Sequence, residues 1–261
     1  MEEYTERFTI RTYETDGHGA LRLPVFCNYM EEVAGTHARR LGVGLDALIP
    51  LGLSWAMRKM RLHILRMPLA GEQTLLTTWP CNRDKLTFRR DFLLTNENTH
   101  EHLVAATTQW VIFDMHSRKL AQLPETMHLP LEQKPNPYIE SDDVRIPPVK
   151  NAALDHALPC PTFAIRQADI DANDHVNNVR YVDFILEAAT PCSPLPLKEL
   201  DIIFRAEARM GDTIDTLTAL ATDTPQAFHH ALACNGSELV RARTVFADQP
   251  ASPHFFAYQP E

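Results

Sequence analysis

Glycine is scarce in this chain, with nine residues in 261 against nineteen prolines. Neither G-x-G-x-x-G nor G-x-x-x-x-G-K-[ST] occurs, so the glycine-dependent loops that let backbone amides close on a nucleotide phosphate are missing. No apolar run approaches the roughly 18 residues that a membrane-spanning helix needs. The opening MEEYTERFTIRTYE has neither the apolar centre of a signal peptide nor the acid-poor character of a transit peptide. The expectation is a chain without a membrane partner that stays in the cytoplasm. Cysteine is little used. Cys27, Cys81, Cys160, Cys192 and Cys234 are odd in number, scattered and without a C-x-x-C pair, which reads as free thiols in a reducing compartment. H-E-x-x-H is absent, and His229 and His230 are adjacent on what reads as a strand, pointing to opposite faces, so no metal ligand set is expected. An excess of positive charge is missing too: the net charge is −9, and nucleic acid, which needs a concentrated positive surface, is excluded as a partner.

What is present is an ordinary globular balance, 44% hydrophobic and 23% charged, sufficient for a real core. The length predicts one large or two small domains. The charge is unevenly placed. Arg58, Lys59, Arg61, Arg66, Arg83, Lys85, Arg89 and Arg90 face only Glu72 and Asp84 in the same stretch, a local +6 on an otherwise acidic chain. Two readings stand: solvated strand faces, or a docking patch for an acidic partner.

Eight of the prolines fall between residues 124 and 161, where the hydrophobic period also fails. That is linker composition, tending to extended polyproline geometry. It divides the chain into an N-terminal domain at 1–130, a linker at 131–158, a C-terminal domain at 159–250 and a tail at 251–261. The two halves resemble each other. An offset of 155 sets Asp16 on Asp171, Phe26 on Tyr181, Tyr29 on Phe184 and Glu32 on Glu187. Each half runs from a polar turn into a helical period: Phe26, Met30, Val33, Ala34 and Leu41 in the first, Val179, Val182, Leu186 and Ala189 in the second. Runs of period two follow, among them Met60-Leu62-Ile64, Leu86-Phe88-Phe92-Leu94 interrupted by Arg90, Leu200-Ile202-Phe204-Ala206 and Val240-Ala242-Thr244-Phe246. Gly71-Glu72 and Gly211-Asp212 mark the same break in both copies. The order predicts an α+β tandem, each unit an antiparallel sheet wrapped around one long, mostly apolar helix.

The densest polar segment, Asp169 to Asn178, lies directly before the second helix. A calcium loop fails there, because Asp174 stands where glycine is needed and Arg180 where a bidentate glutamate is needed. Two readings remain. The Asp and Asn side chains cap the helix and His175 is incidental, or the helix start and the imidazole serve an oxyanion and a proton in acyl transfer. Gly52-Leu53-Ser54-Trp55-Ala56 lacks the last glycine of a nucleophile elbow and runs into a strand, so Ser54 is not expected to be catalytic.

The residues Asp171-x-Asn173-x-His175-Val176-Asn177-Asn178-x-Arg180-Tyr181, followed by Phe184-Ile185-Leu186-Glu187, closely resemble the second-domain motif of acyl-acyl carrier protein thioesterases. The resemblance extends to Trp55-Ala56-Met57-x-Lys59-Met60, Arg89-Arg90-Asp91, Thr108-Gln109-Trp110-Val111, Ser117-Arg118-Lys119-Leu120 and Phe204-Arg205-Ala206-Glu207. It implies a double hotdog fold and hydrolysis of the thioester joining a fatty acyl chain to acyl carrier protein (ACP). The family's catalytic positions fall on Asp171, Asn173, His175 and Glu207. Their first-copy counterparts to Asn173 and His175 are His18 and Ala20, so the first unit should be catalytically silent and shape the acyl pocket. Glu207 also has a plainer reading from strand parity, a solvent-facing glutamate paired with arginine. Many relatives carry cysteine after this glutamate; here it is Ala208, which points to water as the attacking group, with neither cofactor nor metal. Carrier protein is acidic, which gives the basic 58–90 segment a purpose as its docking site. An acyl-CoA thioesterase and a non-catalytic acyl-binding module are the rival readings, and a tandem repeat leaves a homodimer optional.

Overall fold

Helix α1 (Leu23–Arg40) forms where the apolar period predicts it. Pro24 sits in its first turn, where a missing N–H costs nothing, and His37, Arg39 and Arg40 occupy its last turn at the negative end of the dipole. Gly42 follows at φ +73°, a left-handed conformation that ends the helix without steric penalty. Phe26, Met30, Val33 and Ala34 are buried along one face. Two further helices are α2 (Leu45–Leu48), a single turn, and α3 (Asn178–Ala189). On α3 the buried face is wider than the apolar period predicts: Tyr181, Phe184, Ile185 and Ala188 join Val179, Val182 and Ala189, while Leu186 is only half-buried. The reason is that α3 packs against both the sheet and α1.

The computed structural model describes residues 3–84, 86–141, 143, 145–149, 158, 160–171, 173–222 and 224–249. The tail expected at 251–261, and Lys85 of the basic segment, lie outside the described residues. The strands are β1 (Tyr4–Thr9), β2 (Leu53–Ile64), β3 (Gln73–Arg83), β4 (Thr87–Asn96), β5 (His102–Asp114), β6 (Leu120–Ala121), β7 (Thr162–Ala164), β8 (Leu197–Phe204), β9 (Thr213–Leu220), β10 (Ala227–Cys234) and β11 (Ser237–Phe246). They form one antiparallel sheet in the order β1-β3-β4-β5-β2-β8-β11-β10-β9-β7, with β6 against β5. The second half of that order mirrors the first, strand for strand. Two hotdog units, each a sheet curled over its own helix, are joined edge to edge through β2 and β8.

The predicted alternation places the core. Met60, Leu62, Ile64, Phe88, Phe92, Leu94, Leu200, Ile202, Val240 and Ala242 are all buried, and Arg90 is buried among them at 7% exposure. One expectation is corrected. The alternating run through Ala206 stops early, because β8 ends at Phe204 and the N–H groups of both Arg205 and Ala206 donate to the Leu239 carbonyl. That irregularity breaks strand parity, and Glu207 lies in the following loop rather than on a strand face.

Two further expectations change on the opposite, outer face of the sheet. Among the described residues the proline-rich segment between β6 and β7 has no helix or strand, yet it is not a loose tether. Leu129, Ile139 and Ile146 are buried, and Trp79 Nε1 donates to the Lys134 carbonyl at 3.0 Å. Buried Asn136 donates to the Ala106 carbonyl at 3.0 Å and accepts the N–H groups of Tyr138 and Ile139. The basic segment explains part of this anchorage. Arg61 forks onto Asp201, Arg89 onto Asp91, and Arg66 pairs with both Glu72 and Glu101. The remaining N–H groups of Arg61 and Arg89 then donate to the carbonyls of Ser141, Ile139 and Glu140 in the segment, as Arg241 does to Ile146. The run of positive charge in sequence is therefore not one open patch in space; two of its members, Arg61 and Arg89, pin the connecting strap. Replacing Asn136 with Ala leaves the Ala106 carbonyl and two strap N–H groups short of partners, a loss of about 1–3 kcal/mol. The urea midpoint of unfolding should fall accordingly, while Asn136→Asp, which keeps the acceptor, should lose less.

Candidate active site

The loop before α3 is built on a template that the first unit repeats. In the first copy the Arg11 N–H donates to Glu14, Asp16 N to the Ala20 carbonyl, Leu21 N to the Pro68 carbonyl and Arg22 N to the Glu14 carbonyl. In the second, Arg166 N donates to Asp169, Asp171 N to the His175 carbonyl, Val176 N to the Ala208 carbonyl and Asn177 N to the Asp169 carbonyl. Asp16 Oδ1 accepts the His18 and Ala20 N–H groups, and Asp171 Oδ1 accepts the Asn173 N–H at 2.7 Å. The repeat acts as an internal control. What both copies share is the scaffold, and Asp171 belongs to it as the residue that folds the turn. What only the second copy has is Asn173, His175 and Glu207, which in the first are His18, Ala20 and Met67.

The capping reading of this segment is resolved. The cap of α3 is Asn177, whose side chain accepts the Val179 N–H at 2.7 Å. The Arg180 N–H donates to the Asn177 carbonyl. Asp171 and Asn173 are thus not spent on the helix end, and of the amides expected there for an oxyanion, the Asn178 N–H is the one left open by these contacts. Asp169 serves the fold instead: its carboxylate is buried and takes Arg166 and Arg180, and those contacts hold it below the usual carboxylate range against the opposing effect of burial.

Asp171 and Asn173, with Asn177 and Asn178, line one wall of a cavity of about 680 Å³. The other walls come from the first unit, among them Ala34 and Ala38 of α1, Trp55, Phe88 and Trp110. The size is that of a small-molecule site, and the walls combine aromatic and small apolar side chains with a polar end. His175 and Glu207 are brought together beside that loop: His175 Nε2 lies 3.2 Å from Glu207 Oε2. The approach is close but not aligned, and the buried Nε2 makes no hydrogen bond. Neither of the two is among the residues lining the cavity. The structure therefore forms two pairs on one loop system, Asp171 with Asn173 on the cavity and His175 with Glu207 next to it.

Glu207 is half-exposed and arginine-paired, as its plainer reading predicts, but the arginine is Arg118 from the first unit rather than a strand neighbour. Sequence spacing carries no signal for that contact. Glu31 of α1 was also missed. It lines the same cavity as Asp171, and burial, with the Asp171 charge added, pushes its carboxyl up to about 7. Elsewhere, Ser54 lies in β2 opposite Phe113 and off any strand-to-helix turn. His230 is buried between Thr218 and Thr244, which hold its two ring nitrogens at 2.9 Å each, and burial lowers its pKa to about 3. It is a neutral core residue. All five cysteines are free, no cluster of His, Cys, Asp and Glu fit for a metal occurs among the described residues, and no helix among them is long and apolar enough to cross a membrane.

The family model of the acyl-ACP thioesterase N-terminal domain matches residues 1–131, and that of the acyl-ACP thioesterase C-terminal domain matches residues 155–248. The chain is 29% identical over 265 residues to the chloroplastic palmitoyl-acyl carrier protein thioesterase of Gossypium hirsutum, an alignment covering 92% of this chain and 63% of that one. It is likewise 29% identical over 264 residues to the chloroplastic acyl-[acyl-carrier-protein] hydrolase of Cuphea viscosissima, covering 95% and 63%. The chain thus spans somewhat under two thirds of these curated relatives. In fold it matches the crystal structure of an acyl-ACP thioesterase from Bacteroides thetaiotaomicron with a TM-score of 0.82 at 22% identity, over 94% of this chain and 98% of that one. The 12:0-ACP thioesterase from Umbellularia californica gives 0.81 at 21% identity, over 95% and 98%.

Glu31 makes the site sensitive to pH in a direction that can be stated. An acid whose folded pKa is raised from 4.5 to about 7 is protonated in the folded chain and ionised in the unfolded one between those values, so the folded state loses stability as pH rises through that window. Glu31→Gln is neutral throughout. Its Tm relative to the unaltered protein should therefore rise between about pH 5 and about pH 8, and a difference that stays flat across the range would contradict the assignment.

Proposed function

Because the chain belongs to the acyl-ACP thioesterase family, we propose that it hydrolyses the thioester between a fatty acyl chain and acyl carrier protein, releasing free fatty acid and holo-carrier protein. The observation that carries this reading is the approach of His175 to Glu207 at 3.2 Å beside a loop whose next side chains, Asp171 and Asn173, open onto the 680 Å³ cavity. In the same reading the unit at 1–130 shapes the acyl pocket and does no chemistry, the strap at 131–158 holds the units together, and the unit at 159–250 supplies the catalytic groups.

The chemistry follows from what each group can do. Water on the open side of the Glu207 carboxylate gives up a proton to the Glu207–His175 pair as its oxygen attacks the thioester carbonyl. The tetrahedral oxyanion is met by the Asn173 side-chain amide and the Asn178 N–H at the positive end of α3. The C–S bond then breaks, and His175 returns the proton to the departing phosphopantetheine sulfur. Asp171 keeps the turn in the conformation that presents Asn173, through the bond it accepts from the Asn173 N–H. A nucleophilic side chain is not available at the position after Glu207. Ala208 is buried, with its N–H donating to the Tyr181 hydroxyl and its carbonyl taken by Val176, so water is the attacking group.

The acidic carrier protein needs a positive contact, and the internal pairing of Arg61, Arg66, Arg89 and Arg90 leaves Arg58 and Arg83 as the exposed, described members of the basic segment. Docking is assigned to these two. The free thiols suit a cytoplasmic, reducing setting, and the internal pairing of two units makes a homodimer unnecessary for completing the site.

On palmitoyl- or oleoyl-ACP, Glu207→Gln and His175→Ala should each lower kcat by about a hundredfold or more. Near-normal turnover in both would sink the catalytic assignment. Charge reversal at Arg58 and Arg83 should raise the apparent KM for carrier-protein substrates and leave the matched acyl-CoA unaffected. An equal effect on both thioesters removes the docking assignment, and faster turnover of acyl-CoA by the unaltered protein favours the acyl-CoA hydrolase reading instead.

A further inference from the structure

Glu207 Oε2 is shared. His175 Nε2 approaches it at 3.2 Å, and Arg118 Nη2 donates to the same oxygen at 2.5 Å. Arg118 comes from the turn between β5 and β6 in the first hotdog unit, eighty-nine residues away in sequence. The turn that carries it is tightly specified. Asp114 Oδ1 accepts the N–H groups of His116 and Ser117 at 3.0 and 2.7 Å. The Arg118 N–H donates to the Asp114 carbonyl, and the Asp114 N–H to the Lys119 carbonyl, both at 2.9 Å. The contacts from Ser117 and His116 hold the Asp114 carboxyl below its ordinary value. Arg118 itself has φ +56°, a left-handed conformation unusual for a residue with a long side chain. Its guanidinium lies 5.1 Å from the centre of the Phe113 ring, close enough for a cation–π contact that limits its swing.

Stability does not account for this arrangement. The Arg118 and Glu207 side chains are 52% and 45% exposed, and ion pairs so open to water contribute little to stability. What the contact does is orient. Glu207 sits in a loop just after β8 has ended, where no strand partner fixes its side chain, and among the described residues the hydrogen bond to its carboxylate comes from Arg118. We propose that Arg118 is a positioning residue for the hydrolysis: it holds the Glu207 carboxylate against His175, so that the first unit, though without catalytic groups of its own, completes the site of the second. The inference rests on the catalytic reading of Glu207 given above.

The test is a double-mutant cycle on kcat with palmitoyl- and oleoyl-ACP, using the full chain. Arg118→Ala should lower kcat by about tenfold or more with KM changed little, Arg118→Lys should recover part of the loss, and Tm should stay near that of the unaltered protein. In the Glu207→Gln background, removal of Arg118 should cost almost nothing further, because the carboxylate it orients is already gone. Multiplicative losses in the double variant, or an effect of Arg118→Ala confined to KM for carrier-protein substrates, would overturn the proposal; the second result would make Arg118 a docking cation. Normal turnover by Glu207→Gln alone would instead remove the catalytic reading on which this inference rests. A slow Glu207→Gln beside a normal Arg118→Ala would remove the positioning role and leave that reading intact.

Discussion

The pairing of β2 with β8 is the contact on which the rest of the molecule depends. Five residues on each side, Lys59 to His63 against Ile203 to Glu199, close an antiparallel ladder between two units that would otherwise each end in an open sheet edge. Its two faces do different work. Met60 against Ile202 and Leu62 against Leu200 extend the apolar core across the seam. Arg61 against Asp201 puts a forked ion pair on the outer face, with Asp201 buried to 1% exposure. A one-residue slip would exchange these faces, burying a guanidinium against leucine. Register at the seam is therefore strongly specified, and with it the relative placement of everything the two units carry.

That placement makes the site a joint product. The cavity has walls from the first unit and a polar end from the loop before α3, and Glu207 of the second unit meets Arg118 of the first. The two copies share a scaffold and differ in the side chains it carries. The hydrogen-bonded turn is common to both copies because it folds the chain into the helix. The pair formed by His175 and Glu207 occurs in one copy only. The first copy has His18, Ala20 and Met67 at the places of Asn173, His175 and Glu207.

The outer face shows how charge in sequence and charge in space can differ. A run with eight basic residues within 58–90 looks like a patch. Folding distributes its members by strand parity and partner, to Asp201, to Asp91, to Glu72 and Glu101, and to the carbonyls of the proline-rich strap. Arg90 points the other way and is buried against His37 and Thr78, where desolvation lowers its pKa to about 10. The strap in turn is held by its own buried apolar residues and by Asn136, so a segment whose composition suggests a flexible linker is a layer of the structure.

The candidate residues Asp171, Asn173, His175 and Glu207 came from the family resemblance, whereas the tandem repeat, the two helices and the buried strand parity were legible in the residues themselves. These features are local: a helix needs an apolar residue every three or four positions, a half-buried strand one every two, and a turn its Asp or Asn at a set offset. Long-range placement was not legible. The end of β8 before Glu207 depends on two amides competing for the Leu239 carbonyl. Which of the Asp and Asn side chains before α3 caps it, Asn177, was not legible either. The meeting of Arg118 with Glu207, and of Glu31 with Asp171, depends on the edge-to-edge pairing of β2 and β8. Sequence determines which elements form and which chemistry they carry, because those follow from neighbours along the chain. Which carboxylate meets which cation is decided by tertiary structure alone, since the partners are brought together by a register that short-range spacing does not encode.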